Sequence, residues 1–168
     1  MTLLARRTHP SVGVSMSRPV PLPRGAYRFA HRITTRWADN DVYGHVNNAL
    51  YYSFFDTTIT SFLIAARVMA DAERDPMFFV VASDCAYFRG FSFPETIESG
   101  LAVAEIGAKS VTWRIGLFGE GEDAPRAQGR FVHACVDRDT RRPCEWPAAW
   151  RETFETILAA PGVISTEA

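Results

Sequence analysis

The 168-residue chain carries 18 basic and 19 acidic residues, a formal net charge of −1, with 47% hydrophobic and 22% charged residues. That length suits one domain with its own core. The composition excludes a disordered chain, a collagen-like fibre and a coiled coil. The balanced charge lacks the basic excess that a phosphate backbone demands, so no nucleic-acid partner is expected.

Residues 1–25 hold four Arg and no acidic residue, which reads as a leader or a disordered extension. Residues 26–160 read as a single domain that starts near Tyr27, and 161–168 as a tail. Between 27 and 37 the chain alternates, with Tyr27, Phe29, His31, Ile33, Thr35 and Trp37 on one face, which predicts a half-buried strand. Residues 38–45 are turn-rich, and Asn47 or Asn48 is placed to cap a helix. That helix is expected over 49–70. Its apolar residues surround most of the circumference, so it should be wrapped on several sides.

Four more strands are expected, at 77–88, 96–106, 110–118 and 127–137. Gly107-Ala108-Lys109 forms a tight turn between two of them, and Val111, Trp113, Ile115 and Leu117 give the clearest alternation. Pro147 opens a short amphipathic helix with Trp150, Phe154, Ile157 and Leu158 on one side. One antiparallel sheet curled around one long helix, an α+β fold, accommodates all of this. The longest apolar run, residues 77–82, is far too short to cross a bilayer, so no membrane partner is expected. Cys85, Cys135 and Cys144 show no metal-ligand spacing, which suits free thiols in a reducing cytoplasm and neither a zinc site nor a disulfide framework. Cys135 follows His133 by two on one strand, a spacing that does not set a Cys–His nucleophile.

Chemistry concentrates in Asp39-Asn40-Asp41-Val42-Tyr43-Gly44-His45-Val46-Asn47-Asn48. A carboxylate desolvated at the edge of an apolar cavity can act as base or nucleophile near neutrality. The helix start just beyond it offers N–H groups for a developing oxyanion. Turns and helix caps use the same residue types, so the residues alone leave both readings open. Tyr43, Tyr51, Tyr52, Phe54 and Phe55 could line an apolar pocket or form core. Arg89, Arg138, Arg141 and Arg142 could meet phosphates or water.

The run Arg36-Trp37-x-Asp39-x-Asp41-x-x-Gly44-His45-Val46-Asn47-Asn48-x-x-Tyr51 resembles the signature of hotdog-fold acyl-CoA thioesterases of the 4-hydroxybenzoyl-CoA thioesterase type. The later Ala127-x-Gly129 strand and the turn through Arg138 to Pro143 are similar to that family's last strand and turn. The resemblance implies a hotdog domain that assembles as a homodimer or homotetramer, with sites at the dimer interface. It implies hydrolysis of an acyl-CoA or acyl carrier protein thioester by Asp41, as nucleophile or general base. His45 and Asn48 are further catalytic candidates. Tyr43, Gly44, Val46, Asn47, Tyr51, Phe55 and Arg89 are candidates for binding substrate. No metal and no resident cofactor are implied, coenzyme A entering as part of the substrate. Some relatives carry His where this chain has Asn48, so a non-catalytic acyl-thioester binder is an alternative. A hotdog hydratase or dehydratase is a remoter one, its G-D-x-N-P-x-H run being absent.

Overall fold

The computed structural model describes residues 20–71 and 73–160. Five strands, β1 (Phe29–Thr34), β2 (Met77–Tyr87), β3 (Thr96–Ile106), β4 (Ser110–Phe118) and β5 (Ala127–Val136), form one sheet. Every pairing is antiparallel, in the order β1-β3-β4-β5-β2. Helix α1 (Leu50–Ala65) lies on one face of this sheet, and α2 (Ala148–Glu155) follows the last strand. This is the expected α+β arrangement of a sheet around a long helix.

The period of two on β4 explains how the core forms. Val111, Trp113, Ile115 and Leu117 point inward and are fully buried, with Trp113 opposite Val103 of β3 and Phe131 of β5. Helix α1 supplies Phe55, Ile59 and Phe62 to the same core. It sits close because Gly129 of β5 has no side chain. A Cβ there would lie 2.5 Å from the Phe55 ring. Thr58 links helix to sheet, its hydroxyl donating to Phe54 O and accepting from the Ser99 hydroxyl of β3, each at 2.7 Å. Trp150 and Phe154 of α2 close the far end, with Phe78 stacked on Trp150 at 5.4 Å.

Three expectations need correction. Helix α1 is not covered all round, because Ser53, Asp56, Thr57 and Ile64 form an exposed stripe. It also stops at Ala65 rather than residue 70. Arg67 takes a left-handed φ of 57°, and the Arg67 and Val68 N–H groups donate to Ile64 O and Leu63 O. That is a Schellman end, sealed by buried Val68 against Leu63. At the start, neither Asn caps the helix by its side chain. Asn47 Oδ1 instead accepts the Ala49 N–H at 3.0 Å, a turn that leads into the helix.

The folded chain also begins before Tyr27. Arg24 pairs with Glu98 of β3 at 2.7 Å, and the Leu22 N–H donates to Gln128 Oε1 of β5 at 2.9 Å. Residues 1–19 and 161–168, where the leader and tail were expected, lie outside the described residues.

His133, buried on β5, accepts the Trp113 Nε1–H at Nδ1 over 2.9 Å. Burial pushes its pKa down to about 4. The unfolded chain takes up this proton near pH 6.5, so the folded state loses ground as pH falls from there toward 4. The full loss is about 3 kcal/mol. Urea midpoints of the protein and of His133→Gln, compared at pH 7.5 and 4.5 (roughly the two ends of that window), should show a steeper fall for the former. Equal slopes would remove His133 as the cause.

Candidate active site

The loop between β1 and α1 is built before any chemistry is asked of it. Asp39 is almost completely buried. It accepts the Arg36 N–H at 2.7 Å on one oxygen and the Arg36 guanidinium at 3.0 and 2.8 Å on the other. Burial alone would raise the Asp39 carboxyl, but these bonds and the Arg36 charge outweigh it and hold the pKa below the usual range. Asp39 O then accepts the Asn47 N–H at 2.9 Å, and Val46 N–H donates to Phe91 O at 2.8 Å. These bonds anchor both ends of the segment that carries Asp41. Asp39→Ala should therefore lower stability by about 2 kcal/mol, read as a shifted urea midpoint. A loss below a few tenths would show that the loop holds without it.

Asp41 sits at the base of a tight turn. Its N–H donates to His45 O at 2.7 Å, and its carbonyl accepts the Gly44 N–H at 3.1 Å. Gly44 has a φ of +78°, a left-handed backbone that glycine adopts without steric cost. Asp41 Oδ1 accepts the Tyr43 and His45 N–H groups at 2.8 and 3.3 Å. No hydrogen bond to Asp41 Oδ2 occurs among the described residues.

Asp41 lines an open cavity of about 320 Å³. Val46, Asn48 and Tyr51 line it from the same loop and the start of α1, and Tyr87, Phe88, Arg89 and Gly90 from the end of β2. The two sides are joined by the Tyr87 hydroxyl, which donates to Asn48 O at 3.1 Å. The Tyr51 and Tyr87 rings meet edge to face at 5.1 Å. Burial raises both phenols above their ordinary range, so both stay neutral.

Of the residues proposed from sequence, the structure thus brings Asp41, Val46, Asn48, Tyr51 and Arg89 to one cavity. The rest stand elsewhere. Tyr43, at the turn tip, is 81% exposed. Gly44 shapes the turn, and Asn47 supports the helix start. The His45 ring packs on Gly90, where a Cβ would lie 3.3 Å from His45 Cδ2. Phe55 is fully buried core over Gly129. Arg89 is ion-paired with Glu122, which Arg126 also engages at 2.8 Å. Arg126 above all, and then Arg89, hold the Glu122 carboxyl down to about 2. Tyr87, Phe88 and Gly90 were not anticipated. The only local sign of them is an aromatic pair at a strand end just before a glycine.

Residues 35–154 match the thioesterase-like superfamily. The chain belongs to that superfamily. The crystal structure of the PA5185 protein from Pseudomonas aeruginosa is similar at 40% identity and a TM-score of 0.80, over 84% of this chain and 99% of that one. Slr0204, a 1,4-dihydroxy-2-naphthoyl-CoA thioesterase from Synechocystis, shares the fold at 15% identity and a TM-score of 0.68, over 75% and 94% of the two chains. The uncharacterized protein YsmA of Bacillus subtilis is 22% identical over 130 residues, 77% of this chain and 86% of its own length. The superfamily match spans the loop, α1 and all strands from β2 to β5, and so takes in the whole cavity. Among the described residues of this superfamily member, no three His, Cys, Asp or Glu side chains converge as a metal site. No helix among them is long and apolar enough to cross a membrane.

Proposed function

We propose that the protein hydrolyses an acyl-CoA thioester to the free acid and coenzyme A, with Asp41 as the catalytic carboxylate. The observation that carries this reading is how Asp41 is held at the cavity. One carboxylate oxygen is taken by two backbone N–H groups, and the other has no protein partner among the described residues. A carboxylate so oriented can attack the thioester carbonyl itself or draw a proton from a water that attacks. In either route the C–S bond breaks and coenzyme A leaves as its thiolate, which then takes up a proton; in the first, water then hydrolyses the anhydride formed on Asp41 and releases the free acid.

The carbonyl oxygen gains negative charge in that step and needs a donor. From Gly44 to Asn48 four N–H groups are already bonded, to Asp41, Phe91 and Asp39. The Asn48 N–H has no acceptor among the described residues, and we assign it as the donor. The Asn48 amide would position the substrate or water beside Asp41, and His45 would hold the lip through Gly90. Val46 and Tyr51 would face the acyl group. Arg89 would meet a phosphate of coenzyme A by exchanging its Glu122 partner. A carrier-protein thioester would present the same reacting group.

Strand β2 is an end strand of the sheet with Phe79, Val80 and Val81 about half exposed or more. Pairing with a second copy would remove that open edge, and we propose a homodimer joined there. Thiol release measured across acetyl-, hexanoyl-, palmitoyl-, benzoyl- and phenylacetyl-CoA tests the function. Turnover with a clear preference is expected and would name the acyl class. Binding without turnover across the panel would make the protein an acyl-thioester binder instead.

A further inference from the structure

Sequence spacing gives no hint that any two cysteines meet, yet two of them do. Cys135 lies on the inward-facing row of β5, and Cys144 stands directly across from it on the segment leading to α2. The backbone enforces the pairing. The Cys144 N–H donates to Cys135 O at 3.0 Å, the Asp137 N–H donates to Arg142 O at 2.9 Å, and Val136 bridges Pro143 between them. The two stretches therefore run antiparallel on either side of the turn that carries Arg138 and Arg141. Both thiols are free, and their sulfurs are 3.1 Å apart. A disulfide bond is about 2.05 Å long, so closure asks for about 1 Å of sulfur movement.

The two sulfurs are unequal. Cys135 is fully buried, whereas Cys144 is only partly buried at the edge of the core. The third thiol, Cys85 on β2, engages the Tyr87 hydroxyl and Ala86 O and has no cysteine partner among the described residues. We propose that Cys135 and Cys144 form a redox pair that closes to a reversible intrachain disulfide when the protein meets a peroxide.

The Cys144 thiolate attacks one peroxide oxygen and breaks the O–O bond. This leaves Cys144 as the sulfenic acid and releases hydroxide, which takes a proton to become water. The Cys135 sulfur then attacks the sulfenic sulfur, the S–O bond breaks, and a second water leaves with the Cys135 thiol proton. Two thiols lose two electrons and two protons, and the peroxide becomes two waters. Burial first, and then the neighbouring Cys144, raise the Cys135 thiol, which suits it to the second step rather than the first. Burial likewise pushes Cys85 up to about 11 and keeps it a poor competitor. The closed bridge ties the turn bearing Arg138, Arg141 and Arg142 into a short covalent ring. A dithiol reopens it.

The test uses the full chain, fully reduced and then treated with hydrogen peroxide. Free thiols counted after denaturation should fall from three to one. The intact mass should drop by two hydrogens, with a linked Cys135–Cys144 peptide in a non-reducing digest, and dithiothreitol should restore all three thiols. Oxidation should raise Tm by roughly 5 °C. In Cys144→Ser the Tm rise should vanish, and Cys135 should stay reduced at the same dose. Retention of three thiols, a bridge to Cys85 or to another chain, or Cys144 driven to a sulfinic acid beside reduced Cys135 would each overturn the proposal. So would Cys135 oxidising in Cys144→Ser as fast as in the parent protein. The mass of the parent protein answers the question even if the variant fails to fold.

Discussion

Trp113→Ala should lower the free energy of unfolding by about 4 kcal/mol, the range expected when a large buried aromatic is removed. Trp113 is where the sheet meets both helices. It is fully buried on β4 and packs edge to face on Phe62 of α1 at 6.1 Å and on Phe154 of α2 at 5.4 Å. Its indole N–H also satisfies His133. Truncation thus opens a cavity and leaves a buried acceptor without its donor. Trp113→Phe weights the two differently, since it keeps a six-membered ring in the core and opens a smaller cavity, but loses the N–H entirely. That variant should cost about 2 kcal/mol. Urea titrations of both variants decide it. A loss below 1 kcal/mol for the alanine variant, far under the usual range, would place the core elsewhere.

Asp41→Asn should reduce kcat for thioester hydrolysis about 10³-fold, the scale of a positioned general base or nucleophile, and leave the urea midpoint unchanged. Asparagine keeps the size and shape of the side chain. Its amide oxygen can still accept the Tyr43 and His45 N–H groups, so the turn should survive. What goes is the negative charge and the second oxygen. Asp39→Ala gives the contrast, because there the anchor of the loop is lost and stability should fall. If Asp41→Asn were as destabilised as Asp39→Ala, Asp41 would be a turn residue and nothing more.

How far each feature could be read beforehand depends on how local its cause is. The β4 strand declared itself because Val111, Trp113, Ile115 and Leu117 repeat with the strand's own period. The helix start and the Asp41 turn were legible because Asp, Gly and Asn cluster within ten residues. The end of α1 was not, since the chain turns left-handed at Arg67 with no glycine to mark it. The strand order β1-β3-β4-β5-β2 depends on pairings between distant segments, which no local pattern encodes. The cavity divides along the same line. Asp41, Val46, Asn48 and Tyr51 come from one contiguous run, whereas Tyr87, Phe88 and Gly90 arrive from the far end of β2. Phe55 could pass for pocket or core in sequence. The space left by Gly129 decides for core.

The most direct test measures binding and turnover of the same acyl-CoA by the same Asp41→Asn protein. Affinity should stay within a few-fold of the parent protein while thiol release is lost, because the cavity remains and only the reacting carboxylate has gone. Thiol release at the parent rate, with binding intact, would contradict it and leave Asp41 without a catalytic role.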